Sequence, residues 1–86
     1  SNGNEYEGAF HEGKYHGQGV FKFASGERYE GQFRDGKFHG HGVYTWAGGL
    51  RFEGVWQNNQ KWTGTIYSQW GTVAGTYTEG KWESAL

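Results

Sequence analysis

Tyr29-Glu30-Gly31-Gln32-Phe33-Arg34-Asp35-Gly36-Lys37-Phe38-His39-Gly40-His41-Gly42 reads as a β-hairpin, and that reading decides the fold. Tyr29, Gly31 and Phe33 alternate with Glu30, Gln32 and Arg34, the period of two that an extended strand imposes. Asp35-Gly36 supplies the turn, because a two-residue connection needs the positive φ that glycine adopts freely. The return strand continues through Val43-Tyr44-Thr45-Trp46, with Gly42, Tyr44 and Trp46 on one face. Ala47-Gly48-Gly49 then turns the chain again. No stretch keeps a helical period over ten residues, which leaves room for helix only in the tail Glu79–Leu86.

The same pattern recurs on both sides of this stretch. Tyr6-Glu7-Gly8, Tyr29-Glu30-Gly31 and Phe52-Glu53-Gly54 follow one another at steps of 23 residues, and residues 6–28 match 29–51 at 13 of 23 positions. The third unit, 52–72, is degenerate. Trp56 stands where Phe10 and Phe33 stand, and Asn59 replaces a turn glycine, which asparagine can do because it tolerates the left-handed region. One residue is expected to be inserted before Gly64, with Ile66 in place of the second glycine of the pair. A partial fourth unit, 73–82, keeps Gly75, Tyr77 and Gly80-Lys81. At the start, Asn2-Gly3-Asn4-Glu5 is similar to the inter-repeat turn Ser25-Gly26-Glu27-Arg28, which leads us to expect a fragment of a longer array.

Composition agrees with repeated β-structure. The 86 residues hold 17 glycines and a 20% share of aromatic residues, with no Pro, Cys or Met. Rings at that density argue against a disordered linker, and glycine without a Gly-X-Y period excludes collagen. The absence of cysteine removes disulfides and thiolate metal sites. A net charge of −1 speaks against general nucleic-acid binding, which depends on neutralising phosphates. No apolar run reaches the length of a membrane-spanning helix.

Glycine in a strand costs stability unless something occupies the space it leaves. Gly8, Gly31 and Gly54 lie between aromatic residues on one strand face, while Gly17 with Gly19, and Gly40 with Gly42, open a gap on the partner strand. Rings lying across those gaps would make a thin, twisted β-meander, too short in apolar alternation for a two-layer sandwich. The Trp-rich third unit and Trp82 are candidates for a terminal cap.

The stretch Tyr29–Gly42 resembles the membrane occupation and recognition nexus (MORN) repeat, whose pattern is Y-E-G-x-F-x-x-G-K-x-H-G-x-G. Residues 6–51 follow it at every defined position in two units, and 52–82 follow it in degenerate form, departing at Asn59, Thr63 and Ile66. The resemblance implies an all-β, elongated, single-layer array of antiparallel β-hairpins. It further implies a non-catalytic scaffold that binds a helix, a peptide or a second copy of itself, or that contacts acidic phospholipid. Its aromatic positions fall on Tyr6, Phe10, Tyr29, Phe33, Phe52 and Trp56.

Each candidate feature also has a plainer structural reading. The aromatic column serves as core, as the floor of a partner-binding groove, or as both, since a single layer cannot cover every ring. Tyr44 and Trp46, with Trp62 and Trp70, lie outside the shared motif and are the better candidates for contacts peculiar to this chain. Lys14, Lys37, Lys61 and Lys81 recur at or beside the turns and are expected to line one edge, where they would meet acidic headgroups or simply guard against edge-to-edge pairing. His16 and His39 belong to the repeat and are expected to make structural hydrogen bonds; His39 and His41 alone are too few for a metal site. No nucleophile with a base and no functional carboxylate pair stands out, so neither enzyme activity nor a cofactor is expected. Sugar stacking on exposed tryptophans is a further reading of the C-terminal part. The expected placement is cytoplasmic, at the cytoskeleton or a membrane.

Overall fold

A computed structural model describes residues 3–85. Its strands are β1 (Glu5–His11), β2 (Lys14–Lys22), β3 (Arg28–Arg34), β4 (Lys37–Thr45), β5 (Arg51–Gln57), β6 (Gln60–Tyr67), β7 (Val73–Thr78) and β8 (Lys81–Ser84). Every pairing joins sequence neighbours in antiparallel fashion, so one open sheet runs in the order β1 to β8. Its dimensions, 43 × 25 × 16 Å, are those of an elongated single layer. The expected hairpin meander is thus the fold observed.

Turn chemistry sets the frame. Glu12-Gly13, Asp35-Gly36, Asn58-Asn59 and Glu79-Gly80 all place both residues at positive φ, the geometry of the type I′ turn that matches strand twist. Asn59, at φ 69°, performs the task that glycine performs elsewhere. The turns between units are wider. Phe23, Trp46 and Ser68 each donate their amide four residues onward, to Glu27, Leu50 and Thr72. At the start of the described chain, Gly3 shares the positive φ of Gly26 and Gly49, as expected of an inter-repeat turn, and the Asn4 side chain accepts the amide of Ala24. Asn2, also part of that expectation, lies outside the described residues.

The tail, where the sequence left room for helix, holds none: Glu79-Gly80 turns the chain and β8 adds to the sheet, with Tyr77 opposite Trp82 and Thr76 opposite Glu83. A helix this short is marginal by itself, whereas the open edge of β7 offers backbone partners at once. Leu86, the last residue of that tail, lies outside the described residues.

Glycine and ring interlock as the alternation suggested. Gly8, Gly31 and Gly54 face Gly19, Gly42 and Gly64 across the hairpins. A side chain on Gly42 would run into the ring of Tyr29, and one on Gly19 into the ring of Tyr6. Gly40 has a different task. Its φ of 75° shapes a bulge in which three residues, 39–41, stand opposite Gln32 alone. Gln32 fills that bulge, accepting the amide of His41 on Oε1.

The third unit gains no residue across its own hairpin; it loses one. Gly64 faces Gly54 where Gly42 faces Gly31, and Ile66 faces Phe52 where Tyr44 faces Tyr29. Thr63 occupies the place of Gly40 and, having a side chain, does not take up the left-handed bulge. Toward β7 the expected equivalence holds: Gly64 faces Tyr77 as Gly40 faces Trp56, and Ile66 faces Gly75 as Gly42 faces Gly54. One glycine therefore serves two registers.

Candidate functional site

Alternation sends nearly all the rings to one face of the sheet, where they form two tiers. In the lower tier Tyr29 and Phe52 are fully covered, and Phe33, Trp56 and Ile66 nearly so. Their rings meet edge to face, with centroids 5.0 Å apart for Tyr29–Phe33 and 5.3 Å for Phe52–Trp56, a favoured geometry. The Tyr29 hydroxyl donates to the Gln32 carbonyl at 2.7 Å, which satisfies its only polar atom. In the upper tier Tyr15 stacks on Tyr6 at 3.9 Å and Phe38 stacks on Tyr29 at 4.0 Å. Tyr44 and Trp46 are half-buried and pack against one another at 5.1 Å.

A groove lies between these upper rings. One hollow of about 160 Å³ is lined by Tyr15, Phe21, Phe23 and Phe38, and a second of about 250 Å³ by Tyr44, Trp46, Trp56 and Lys61. They meet at Phe23, Phe38 and Asn59. Asn59 accepts the Phe38 amide on Oδ1 and donates its own amide to the Phe38 carbonyl, which pins the third turn to the start of β4 beside the groove. The Tyr44 hydroxyl donates to Glu27 at 2.5 Å. Burial pushes that phenol well above its usual range, and the hydrogen bond and negative charge of Glu27 push it further.

The eight aromatic residues expected to bind a partner are therefore divided. Tyr29, Phe33, Phe52 and Trp56 form the floor; Tyr44 and Trp46 stand in the groove wall; Tyr6 is half-covered and Phe10 is 61% exposed near the β1 edge. Trp70 projects from the turn after β6 at 80% exposure, and Trp62 lies beside Gly80. Trp82 lies across Gly75 and remains 47% exposed. Tyr15, Phe21, Phe23 and Phe38 line the groove although the sequence reading did not single them out. Their signal was the same alternation, followed along the return strands.

All four lysines lie beside hairpin turns on the same edge of the meander, but they do not share one environment. Lys14, Lys37 and Lys81 each open a return strand directly after its turn and are exposed. Lys61 comes one residue later and faces Trp56, the place where Tyr15 faces Phe10 and Phe38 faces Phe33. Its Nζ lies 5.2 Å from the Trp46 ring centroid, 5.8 Å from Trp56 and 5.6 Å from Tyr77. Burial among these rings lowers the affinity of its amine for a proton. The step of 23 residues from Phe38 was the signal that could have placed it.

The opposite face is polar. Arg28 pairs with Glu30 at 3.0 Å, and Arg51 pairs with Glu53. The hydrogen bond expected of His16 and His39 is not made at Nδ1, which in both is buried without a partner among the described residues. Among the described residues no three His, Asp or Glu side chains converge as a metal site would require.

A family model, the MORN repeat, matches residues 6–28 and 29–51. No curated protein matches the sequence. Repeats of this kind serve in general as binding or scaffold modules, generally without catalysis, and mediate protein or membrane interactions.

Proposed function

Because the chain belongs to the MORN repeat family, we propose that it is a non-catalytic interaction module that docks a peptide or helix in the groove of its ring face. One observation carries this reading: the apolar groove from Tyr15 to Lys61 is walled by half-exposed rings over a floor that is already packed. Such rings contribute contact area at little entropic cost, because only two side-chain torsions need to be fixed. A second copy of the chain would dock through the same face or through the open edges of β1 and β8. Placement follows the partner, at cytoskeleton or membrane.

Panning a phage-displayed peptide library on the chain tests the groove. Selected peptides should shift the resonances of Phe38, Tyr44 and Trp46. Tyr44→Ala and Trp46→Ala should weaken binding at least about tenfold, since truncating a central aromatic anchor commonly costs 2 kcal/mol or more. Normal binding by folded variants would remove the groove assignment. Light scattering across concentration shows whether the occupant is a second copy.

A second reading, binding to acidic phospholipid, is favoured by the exposure of Lys14, Lys37 and Lys81, none of which has an ion-pair partner among the described residues. Changing Lys14 and Lys37 to Glu should end salt-sensitive sedimentation with phosphoinositide vesicles. If the unaltered chain does not sediment at low salt, this reading is lost.

A further inference from the structure

Within the proposed groove, Lys61 is the residue that the rest of the repeat does not explain. Its two equivalents, Tyr15 and Phe38, are rings stacked on Tyr6 and Tyr29. In their place the third unit puts an ammonium among Trp46, Trp56 and Tyr77. The ring faces attract the cation, yet they do not replace the water it has lost. No carboxylate pairs with it among the described residues. Glu27, the acid on the rim of the groove, is already engaged by the Tyr44 hydroxyl.

We propose that Lys61 is a carboxylate-recognition point, and that the groove takes a partner peptide carrying one Asp or Glu at a fixed spacing from a large apolar side chain. This rests on the groove reading above and adds the chemistry of its occupant. A carboxylate reaching Nζ would meet a charge already partly stripped of water, where an ion pair contributes more than on an open surface. The apolar residue would enter the hollow beside Phe21, Phe23 and Phe38. The walls of that hollow, β2 to β4, lie two to four strand spacings from β6, about 10–20 Å. An extended peptide covers that in about three to six residues, and a helix in about seven to thirteen. A membrane headgroup is a poorer fit, because Lys61 lies half-buried between ring walls, whereas Lys14, Lys37 and Lys81 are exposed where their strands leave the turns.

The test pans one phage-displayed dodecapeptide library on the unaltered chain and on Lys61→Met, both confirmed as folded by tryptophan emission and thermal midpoint. Lys61→Gln replaces Lys61→Met if the latter does not fold. The unaltered chain should enrich peptides with an acid at constant distance from an apolar residue, and the variant should show no preference for the acid. For the best peptide, Lys61→Met and acid-to-amide replacement should each weaken binding about tenfold or more. Combining them should cost little beyond either alone. Peptides enriched without an acid, or an acid preference that survives Lys61→Met, would overturn the carboxylate assignment and leave the groove standing. So would phosphoinositide vesicles that sediment through Lys61 and displace the peptide. If no peptide is enriched by either chain, the groove reading falls as well.

Discussion

The second unit, β3 with β4, and the third, β5 with β6, are the same hairpin built with and without a glycine bulge. In the second, Gly40 adopts φ 75°, three residues face Gln32, and Phe38 stacks on Tyr29. In the third, Thr63 replaces that glycine, the return strand is one residue shorter, and Lys61 occupies the ring position. Both nevertheless bury their first ring completely, Tyr29 in one and Phe52 in the other. Register between glycines is therefore the conserved quantity, and side-chain chemistry in the upper tier is what varies. A repeat of this kind can change what it recognises at one position while its floor stays intact.

Gly42→Ala attacks the shared feature and should have the largest effect. The backbone there has no positive φ, so the penalty is steric: the added methyl meets the Tyr29 ring, which is fully buried and tied to Gln32. Displacing such a ring should cost about 3–4 kcal/mol, comparable to overpacking or emptying a core site. Urea unfolding measures it. Tyr29→Ala combined with Gly42→Ala should cost little more than Tyr29→Ala alone, because the clashing ring is gone. Additive losses would mean that glycine is needed at 42 for some reason other than the ring.

The shared feature was the legible part of the sequence. Alternation, Asp35-Gly36 and the 23-residue step sufficed for the hairpins, the ring face and the glycine slots. The third register was not legible in full, because it depends on whether Thr63 can follow the backbone of Gly40, a matter of conformation that spacing alone does not reveal. The state of the tail was left open for a related reason. Lys81–Ser84 has little strand character of its own and becomes a strand because β7 offers it an edge. Which of the eight expected contact rings remain accessible depended on how the tiers stack, and alternation only names a face.

Tyr29→Phe makes the second unit chemically like the third, with a smaller effect. At neutral pH it removes the hydrogen bond to the Gln32 carbonyl, worth about 1 kcal/mol. Its sharper signature is alkaline. Burial raises the Tyr29 phenol well above its usual range near 10, so the folded chain keeps a proton that the unfolded chain releases. Stability is then complete below about pH 10 and falls as pH rises above it, by up to about 1.4 kcal/mol per pH unit from this group. Thermal midpoints between pH 9.5 and 12 should fall less steeply in Tyr29→Phe. Tyr44, whose phenol is raised in the same direction, should preserve part of the slope. An unchanged slope would show that Tyr29 does not carry this proton.

Lys61→Phe makes the third unit like the second, and should have the smallest effect and the opposite sign. The ring removes a half-buried ammonium, whose desolvation opposes folding, and adds an upper-tier contact above Trp56. The loss of cation attraction to Trp46, Trp56 and Tyr77 offsets part of this gain. A net stabilisation of about 0.5–1 kcal/mol is expected, within the range of one aromatic pair. Titration separates the contributions. Because the folded lysine releases its proton more readily than the unfolded one, the unaltered chain gains stability as pH rises toward 10.5, where the unfolded lysine titrates. The variant should lack that gain, which makes the difference between the two curves specific to Lys61 and free of the tyrosines. If Lys61→Phe is destabilised at every pH, the ring cage favours the cation by itself. If it is stabilised and the difference narrows toward pH 10.5, the third unit holds a charge at a cost in stability, as residues placed for binding commonly do.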